Sequence, residues 1–132
     1  MSTIKKMIFT LSLVSISLLS SCKKSAGEGG NSTITGKIMV EEWNATFDVH
    51  ISDHPGADVD IYIIYGDDAT YGNKIKSGPD GIFEFKYLRK GMYTLYAYSK
   101  DATPAGKNAK KVNVEITKKK QTVDASTITI VN

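Results

Sequence analysis

The chain has 132 residues, with 17 lysine and arginine residues, 14 aspartate and glutamate residues, two histidines and a single cysteine. One cysteine excludes an intramolecular disulfide framework and a cysteine-based zinc site. Without Lys5 and Lys6, which lie in the N-terminal segment, 15 basic residues face 14 acidic ones. A nearly neutral domain lacks the clustered basic face of a nucleic-acid-binding protein, so we expect no nucleic-acid partner.

The N-terminal segment has the three-part layout of a secretory signal peptide. Lys5 and Lys6 precede an apolar run over residues 7–19, and small residues follow the run. The run is 13 residues long and contains serines and a threonine, whereas a transmembrane helix needs about 20 apolar residues. This pattern favours an exported protein over one held by an uncleaved membrane anchor.

The segment ends in Leu19-Ser20-Ser21-Cys22, which resembles the lipobox of bacterial lipoproteins. The resemblance implies cleavage before Cys22 and attachment of two or three acyl chains, palmitate among them, to that cysteine. Each buried methylene contributes about 0.8 kcal/mol, so several chains give a stable anchor. We predict a signal peptide over residues 1–21, a flexible lipidated tether over 22–32 and a folded domain over 33–132. An ordinary signal peptide with an accidental cysteine is the alternative.

Lys23 directly follows the cysteine. By resemblance to lipoprotein sorting rules, an aspartate there would imply retention in the inner membrane, so the lysine implies the outer membrane. Some surface-exported lipoproteins carry an acidic run after the cysteine, and this chain has none. We therefore predict an outer-membrane lipoprotein, with the periplasmic face slightly favoured over the cell surface.

From Thr33 onward apolar residues alternate with polar ones in short runs, and no stretch predicts a helix. The first strands would each direct one apolar set to one face: Ile34, Ile38 and Val40; then Phe47, Val49 and Ile51; then Val59, Ile61, Ile63 and Tyr65. His54-Pro55-Gly56 would end the second strand, because proline lacks a donor for the sheet. A short strand is predicted over residues 70–75.

Gly78-Pro79-Asp80-Gly81 is the strongest turn pattern in the chain and predicts a tight hairpin connection. The later strands carry Phe83, Phe85 and Tyr87; Tyr93, Leu95 and Ala97; Val112, Val114 and Ile116; and Val123, Ala125, Ile128 and Ile130. The alternation of the last set changes parity near Ser126, which predicts a β-bulge. Together these patterns predict a single all-β, antiparallel sandwich of about seven strands.

Three segments resemble the carboxypeptidase regulatory-like domain, a transthyretin-like (prealbumin-like) Greek-key sandwich of seven strands. They are Gly56-Ala57-Asp58-Val59, Asp80-Gly81-Ile82-Phe83-Glu84-Phe85 and Leu88-Arg89-Lys90-Gly91-Met92-Tyr93-Thr94-Leu95. The resemblance covers residues 33–130, but the stretch from Val40 to Pro55 is longer than the family's usual loop, which leaves the strand pairing around Trp43 open. Domains of this family serve as attachments, spacers and surface modules, so the fold alone implies no reaction.

The sequence predicts no catalytic residues. His50 and His54 are the only histidines, and neither has a serine or second histidine at a spacing that suggests a catalytic set. Transthyretin-like hydrolases end in Tyr-Arg-Gly-Ser, whereas this chain ends in Thr129-Ile130-Val131-Asn132, and Arg89 is its only arginine. A small hydrolase stays the least favoured alternative, because it would need both histidines and acidic residues in one pocket.

No metal or cofactor is predicted either. Asp58, Asp60, Asp67 and Asp68 could supply oxygen ligands to calcium, but their spacing matches no calcium loop, and a solvated strand face with a polar turn explains them better. Lys118-Lys119-Lys120 could contact lipid headgroups, an anionic polysaccharide or the acidic patch of a partner. Three charges fall short of the four to eight of a lipid-binding cluster, so a solvated turn is favoured.

The tyrosines provide the candidate binding face. If Tyr93 and Leu95 face the core, then Tyr96 and Tyr98 face outward, as Tyr62 and Ile64 do on the third strand. Should these strands be neighbours, the four outward side chains would form an exposed apolar patch. Tyrosine is suited to recognition, but cross-strand tyrosine pairs often only stabilise a sheet, and the structural role is favoured.

The favoured function is therefore a noncatalytic structural or protein-interaction module of the cell envelope. The alternative is a carbohydrate-binding accessory protein that uses the exposed tyrosines. The expected partners are the membrane, through Cys22, and an envelope protein or glycan.

Overall fold

The computed structural model describes residues 25–103 and 105–132. Cys22 and Lys23, which carry the lipidation and sorting predictions, lie outside the described residues. The strands are β1 (Glu28–Trp43), β2 (His50–Pro55), β3 (Asp60–Tyr65), β4 (Asn73–Lys76), β5 (Ile82–Leu88), β6 (Gly91–Lys100), β7 (Lys107–Ile116) and β8 (Thr122–Val131). In this part of the chain no helix is long and apolar enough to span a membrane.

The strands form two sheets of four. The long strand β1 is the centre of the first sheet. One edge of β1 pairs with β8. The other edge pairs with β5 along the first half of β1 and with β2 along the second half. The second sheet has the order β4-β3-β6-β7 and is antiparallel throughout. The all-β sandwich is confirmed, with eight strands where about seven were predicted and with one parallel pair, β1 and β8. The transthyretin-like assignment stays a prediction.

The core lies between the two sheets and is built from alternate residues of the strands, because successive side chains point to opposite faces. Its buried apolar members are Ile34, Ile38, Val40, Ile61, Ile63, Phe83, Phe85, Leu88, Tyr93, Leu95, Ala97, Val114, Ile116, Ala125, Ile128 and Ile130. The inward sets predicted for the first strand and for the strand of Tyr93, Leu95 and Ala97 are therefore confirmed.

The second strand departs from its prediction. Residues 44–49 form a turn in which the Asn44 side-chain oxygen accepts the backbone N–H groups of Asp48 and Val49, at 3.0 and 3.2 Å, and Phe47 has a φ of 58°. β2 is therefore shorter than predicted and lies at the edge of its sheet, pairing only with β1. Val49 and Ile51 are 54% and 64% exposed rather than buried. The open pairing at Trp43 is resolved, because Trp43 lies opposite His50 beside a register shift.

Tyr87 is a second departure. It was predicted to share the inward face of Phe83 and Phe85, but it is 71% exposed. Its φ of 61° interrupts the alternation, and the next residue, Leu88, is buried in its place. Because period-two alternation assumes an extended backbone at every position, a single left-handed residue is enough to reverse it.

The parity change near Ser126 is confirmed as a backbone irregularity. Ser126 has a φ of 67°, and the pairing of β8 with β1 skips here, since Thr35 lies opposite Asp124 and Lys37 opposite Thr127. The Asp124 carboxylate accepts the Ser126 N–H at 2.8 Å. One extra residue thus brings both apolar halves of β8 onto the core face.

The turn at residues 78–81 is present, but it is not a hairpin. The Gly81 N–H donates to the Gly78 carbonyl at 2.9 Å, and the Gly78 N–H donates to the Ile82 carbonyl at 2.9 Å. The turn joins β4 of the second sheet to β5 of the first. It therefore carries the chain across the sandwich.

The first strand begins earlier than the predicted domain boundary. β1 starts at Glu28, so residues 28–32, which the sequence assigned to the tether, are part of the first strand. The Arg89 side chain binds the carbonyls of Ser25 and Glu28, and the Arg89 N–H donates to the Gly27 carbonyl at 2.9 Å. The sequence predicted a flexible tether here, but these contacts hold residues 25–28 against the sandwich.

Candidate functional site

The two strands that carry the predicted outward tyrosines are neighbours. β3 pairs antiparallel with β6, and Tyr62 lies directly opposite Tyr96. The two rings stack, with centroids 4.8 Å apart and planes only 6° from parallel. The predicted neighbourhood of Tyr62, Ile64, Tyr96 and Tyr98 on one outer face is thereby confirmed, while a binding role for these residues stays a prediction.

Two further rings stand across this stacked pair. Tyr98 is tilted by 75° to Tyr62 at 5.6 Å and by 81° to Tyr96 at 5.7 Å. Tyr71 approaches Tyr62 edge-on, at 4.9 Å and 71°. We call Tyr62, Tyr71, Tyr96 and Tyr98 the tyrosine face. Tyr71 and Tyr98 are the more exposed members, 49% and 45% accessible.

Tyr71 reaches this face through the loop between β3 and β4. The next residue, Gly72, donates its N–H to the Ile63 carbonyl at 2.8 Å, which draws the loop against β3. A Cβ at Gly72 would lie 2.1 Å from the Tyr65 ring, so any larger residue would have to displace that ring. Sequence reasoning missed Tyr71, because neither strand alternation nor a turn pattern indicates where such a loop folds back.

A cavity of about 330 Å³ opens between these rings. Its lining combines aromatic, small and basic residues from β3, the following loop, β6 and β7: Ile64, Ala69, Thr70, Tyr71, Tyr96, Tyr98, Ala109 and Lys111. The small side chains Ala69 and Ala109 leave room between the larger rings. The cavity is therefore a depression on the outer face of the second sheet.

The Tyr96 phenol, on the cavity wall, stays protonated at physiological pH. Burial, followed by the nearby phenols of Tyr98, Tyr62 and Tyr71, raises the pKa of Tyr96. A protonated phenol can both donate and accept a hydrogen bond. The cavity wall thus combines apolar ring surfaces with phenol hydroxyl groups.

Lysines flank the tyrosine face on both sides. Lys107 of β7 has its Nζ 4.9 Å from the centroid of the Tyr98 ring, and Lys74 of β4 has its Nζ 5.8 Å from that of Tyr62. Both lie within the range of a cation–π contact. These contacts place a positive charge close to the rings of Tyr62 and Tyr98.

The four aspartates considered for calcium do not form a common site. Asp60 pairs with Lys74 and Lys76 at 3.8 and 3.1 Å, and Asp58 lies 4.0 Å from Lys76. Within residues 25–103 and 105–132, no three His, Cys, Asp or Glu side chains gather closely enough to hold a metal ion. The charges of Asp58 and Asp60 are balanced by lysines of the adjacent strand.

The two histidines are paired separately on the exposed edge strand β2. His50 lies 2.7 Å from Asp53, and His54 lies 2.9 Å from Glu42. Glu42, as a hydrogen-bonded partner, raises the pKa of His54. Neither histidine lines the cavity at the tyrosine face, and in the described chain no hydroxyl group is hydrogen-bonded to either imidazole. This arrangement lacks the convergence that the hydrolase alternative required.

The lysine turn predicted as solvated is exposed at Lys118, Lys119 and Lys120. It joins β7 to β8 beside the start of β1, where the Lys118 carbonyl accepts the Ser32 hydroxyl at 2.9 Å. The Lys120 N–H donates to the Asn31 side chain at 2.9 Å. The turn therefore lies at the same end of the sandwich as the N-terminal segment.

No protein-family model matches the sequence, and no curated protein matches it. Among solved structures, the fold is similar to that of a Pseudomonas aeruginosa protein provisionally described as a carbohydrate binding protein. The similarity covers 81% of this chain and 92% of that chain, with 9% sequence identity and a TM-score of 0.47. A match at this level carries over no ligand and no residue role.

Proposed function

We propose that this chain is a noncatalytic carbohydrate-binding module of the bacterial cell envelope and that the tyrosine face is its binding surface. The observation that carries the proposal is the cavity of about 330 Å³ walled by Tyr71, Tyr96 and Tyr98. A pyranose ring has apolar C–H faces and polar hydroxyl edges, which match an aromatic ring with a polar tip.

Geometry also favours a binding role over a purely structural one. The stacked pair Tyr62 and Tyr96 stabilises the contact between β3 and β6. Tyr71 and Tyr98 stand across that pair and remain about half exposed, so their ring surfaces are available to a ligand.

The tyrosine face is tested by substitution. Tyr98→Ala removes a cavity wall that is 45% exposed, so we expect loss of glycan binding in a protein that still folds. Tyr87→Ala is the matched control, because Tyr87 is also an exposed strand tyrosine but lies on β5 in the other sheet. Binding is measured on a glycan array and then by calorimetry, with circular dichroism to verify the fold.

Tyr96→Ala extends the test to the cavity floor, although it also removes the stacking partner of Tyr62. Its stability is therefore measured beside its binding. Glycan binding that survives both Tyr98→Ala and Tyr96→Ala, or binding lost equally in Tyr87→Ala, would contradict the proposed site.

The proposal includes attachment to the outer membrane, on its periplasmic face, through a lipid on Cys22. Its support is the lipobox-like segment Leu19-Ser20-Ser21-Cys22 and the lysine at position 23. Intact-mass measurement of protein from envelope membranes should show a chain that begins at Cys22 with acyl chains attached. Cys22→Ala should leave the protein outside the lipid-anchored fraction, whereas an unmodified N-terminus on secreted material would refute the anchor.

A protein-interaction role is the second candidate, and the edge strand β2 is the observation that favours it. All six residues of β2 are exposed, and Val49 and Ile51 present apolar side chains to solvent. An exposed edge strand of this kind can pair with a strand of another protein. Cross-linking in envelope membranes should recover a partner with the native chain and not with Ile51→Lys, whereas recovery by both would contradict this role.

A further inference from the structure

The lining of the cavity at the tyrosine face carries only positive charge. Of the eight residues that line the cavity, only Lys111 is charged. Lys111 lies opposite Tyr96 on the neighbouring strand, and Ala109 lies opposite Tyr98. The cation is therefore placed beside the aromatic floor by the register of β6 and β7.

Lys107 adds a second cation on the same face of β7. Residues 107 and 111 are four apart on one strand, so their side chains point the same way and their Cα atoms are roughly 13 Å apart. Lys107 sits over the Tyr98 ring. The two lysines are thus spaced along β7 beside the aromatic surface.

Neither lysine has its charge balanced by a carboxylate in the described part of the chain. The lysines that form ion pairs there are Lys74, Lys76 and Lys86, and neither Lys107 nor Lys111 takes part in one. Asp60, on the same outer face, is already paired with Lys74 and Lys76. The cavity therefore offers a cation to a ligand without a competing internal anion.

From this arrangement we infer that the ligand is an acidic oligosaccharide, whose sugar rings pack on Tyr71 and Tyr98 while a ring carboxylate meets Lys111 and a further one meets Lys107. The inference rests on the proposed carbohydrate-binding function and specifies its ligand class. A lysine is a point charge that attracts a carboxylate without demanding a bidentate geometry. The separation of the two lysines suits an extended chain of several sugar units better than a single sugar.

The test compares ligands that differ only in charge. The probes are oligosaccharides of galacturonic, mannuronic and guluronic acid, each beside its carboxyl-reduced neutral counterpart. With the lipidated protein in detergent, we expect the acidic form of at least one pair to bind more tightly, by roughly tenfold at low salt. The preference should shrink as salt is added, because salt screens exposed charges.

Substitutions locate the preference on the protein. Lys111→Met keeps the aliphatic stem and removes the charge, so we expect roughly five- to tenfold weaker binding of the acidic form and unchanged binding of the neutral form. Lys110→Met is the matched control, because Lys110 is an exposed lysine on the same strand whose side chain alternates to the other face. It should leave both affinities unchanged.

The outcomes separate this inference from the proposed function. Equal binding of acidic and neutral forms, still lost in Tyr98→Ala, overturns the acidic preference and leaves the carbohydrate module standing. An acidic preference that Lys111→Met does not reduce also overturns the inference. Binding of none of the probes, acidic or neutral, overturns both. An acidic preference lost in Lys111→Met and kept in Lys110→Met supports the inference.

Discussion

Tyr93 joins the N-terminal segment to the rest of the sandwich through its phenol. The Gly27 N–H donates to the Tyr93 oxygen at 2.9 Å, and the Tyr93 hydroxyl lies 2.6 Å from the Arg89 carbonyl, to which it donates. The side chain is 1% exposed, and burial raises the pKa of its phenol. The buried Tyr93 oxygen thus accepts a hydrogen bond from Gly27 and donates one to Arg89, and so connects two separate segments of the chain.

Tyr93→Phe should therefore lower the free energy of unfolding by about 1–3 kcal/mol, because the buried Gly27 N–H loses its acceptor. Urea denaturation followed by circular dichroism measures the change. Tyr87→Phe is the control, since the exposed Tyr87 should change stability by less than about 0.5 kcal/mol. Equal effects of the two substitutions would show that the Tyr93 hydroxyl is not a structural contact.

His54 and Glu42 join β2 to β1 by a contact that depends on pH. Glu42 as hydrogen-bonded partner raises the pKa of His54 above its usual 6.5, and His54 lowers the pKa of Glu42 below its usual 4.5. A raised histidine pKa stabilises the fold below about pH 6.5 and loses this effect as pH rises through the raised value. A lowered glutamate pKa stabilises it above about pH 4.5 and loses the effect as pH falls through the lowered value.

The contact between β1 and β2 should thus be most favourable between these two limits. NMR titration of the His54 ring should give a pKa above 6.5, the usual histidine value, and Glu42→Gln should return it toward that value. A His54 pKa that Glu42→Gln leaves unchanged would contradict the pairing. No change in the tyrosine face is expected, because neither residue lines its cavity.

At the scale of the strands and turns, the turn at Gly81 depends on two separate constraints. Gly81 has a φ of +80°, and a Cβ there would lie 2.4 Å from the Ile38 carbonyl oxygen. Gly106 has a φ of +73° with nothing within 4 Å of a Cβ. A comparison of alanine substitutions at Gly81 and Gly106 therefore separates the cost of backbone strain from the cost of steric contact.

Gly106→Ala should cost about 1–2 kcal/mol of stability through the left-handed backbone alone. Gly81→Ala should cost clearly more, because the Ile38 carbonyl must also move and its strand lies in the core. Thermal and urea denaturation of both variants measure the difference. Equal losses would mean that the crossing between β4 and β5 tolerates a side chain at this turn.

The sequence predicted the strands best where every residue of a run is extended. Alternation identified Tyr93, Leu95 and Ala97 as core and Tyr96 and Tyr98 as surface, because β6 has neighbours on both sides. The parity change at Ser126 also left a visible trace, since the apolar residues on both sides of it had to reach the core.

Alternation failed where one backbone angle or the sheet edge intervened. The positive φ of Tyr87 reverses its side chain, and Val49 and Ile51 lie at the sheet edge, where their apolar side chains stay exposed. For the candidate site, the sequence predicted the cross-strand tyrosines but not Tyr71 or Lys111. Their positions depend on how a loop folds back and on which strand lies beside β6, which local pattern does not encode.

At the scale of the whole molecule, the N-terminal segment is part of the sandwich. Ala26 packs against the core, and Arg89 holds the carbonyls of Ser25 and Glu28. A Cβ at Gly91 would lie 2.7 Å from the Ala26 side chain, so the two segments are in close contact. The domain therefore extends to about residue 25.

Truncation tests this boundary. A chain that starts at Ser25 should unfold with the same free energy as the unlipidated Cys22→Ala protein. A chain that starts at Thr33, the boundary that the sequence predicted, should lose at least about 3 kcal/mol, because it removes several hydrogen bonds and the packing of Ala26. Urea denaturation of both chains provides the measurement, and equal stability would return the boundary to Thr33.

Only Lys23 and Lys24 separate Cys22 from Ser25. The Arg89 side chain donates a hydrogen bond to the Ser25 carbonyl at 2.7 Å. Three extended residues reach about 10 Å, and the ten residues of β6 add roughly 33 Å. With acyl chains on Cys22, as proposed, the short connection between Cys22 and Ser25 keeps the tyrosine face within about 45 Å of the lipid. Such a module would bind saccharide that diffuses to the bilayer and hold it close to the membrane surface. It would not reach a polymer farther away in the periplasm.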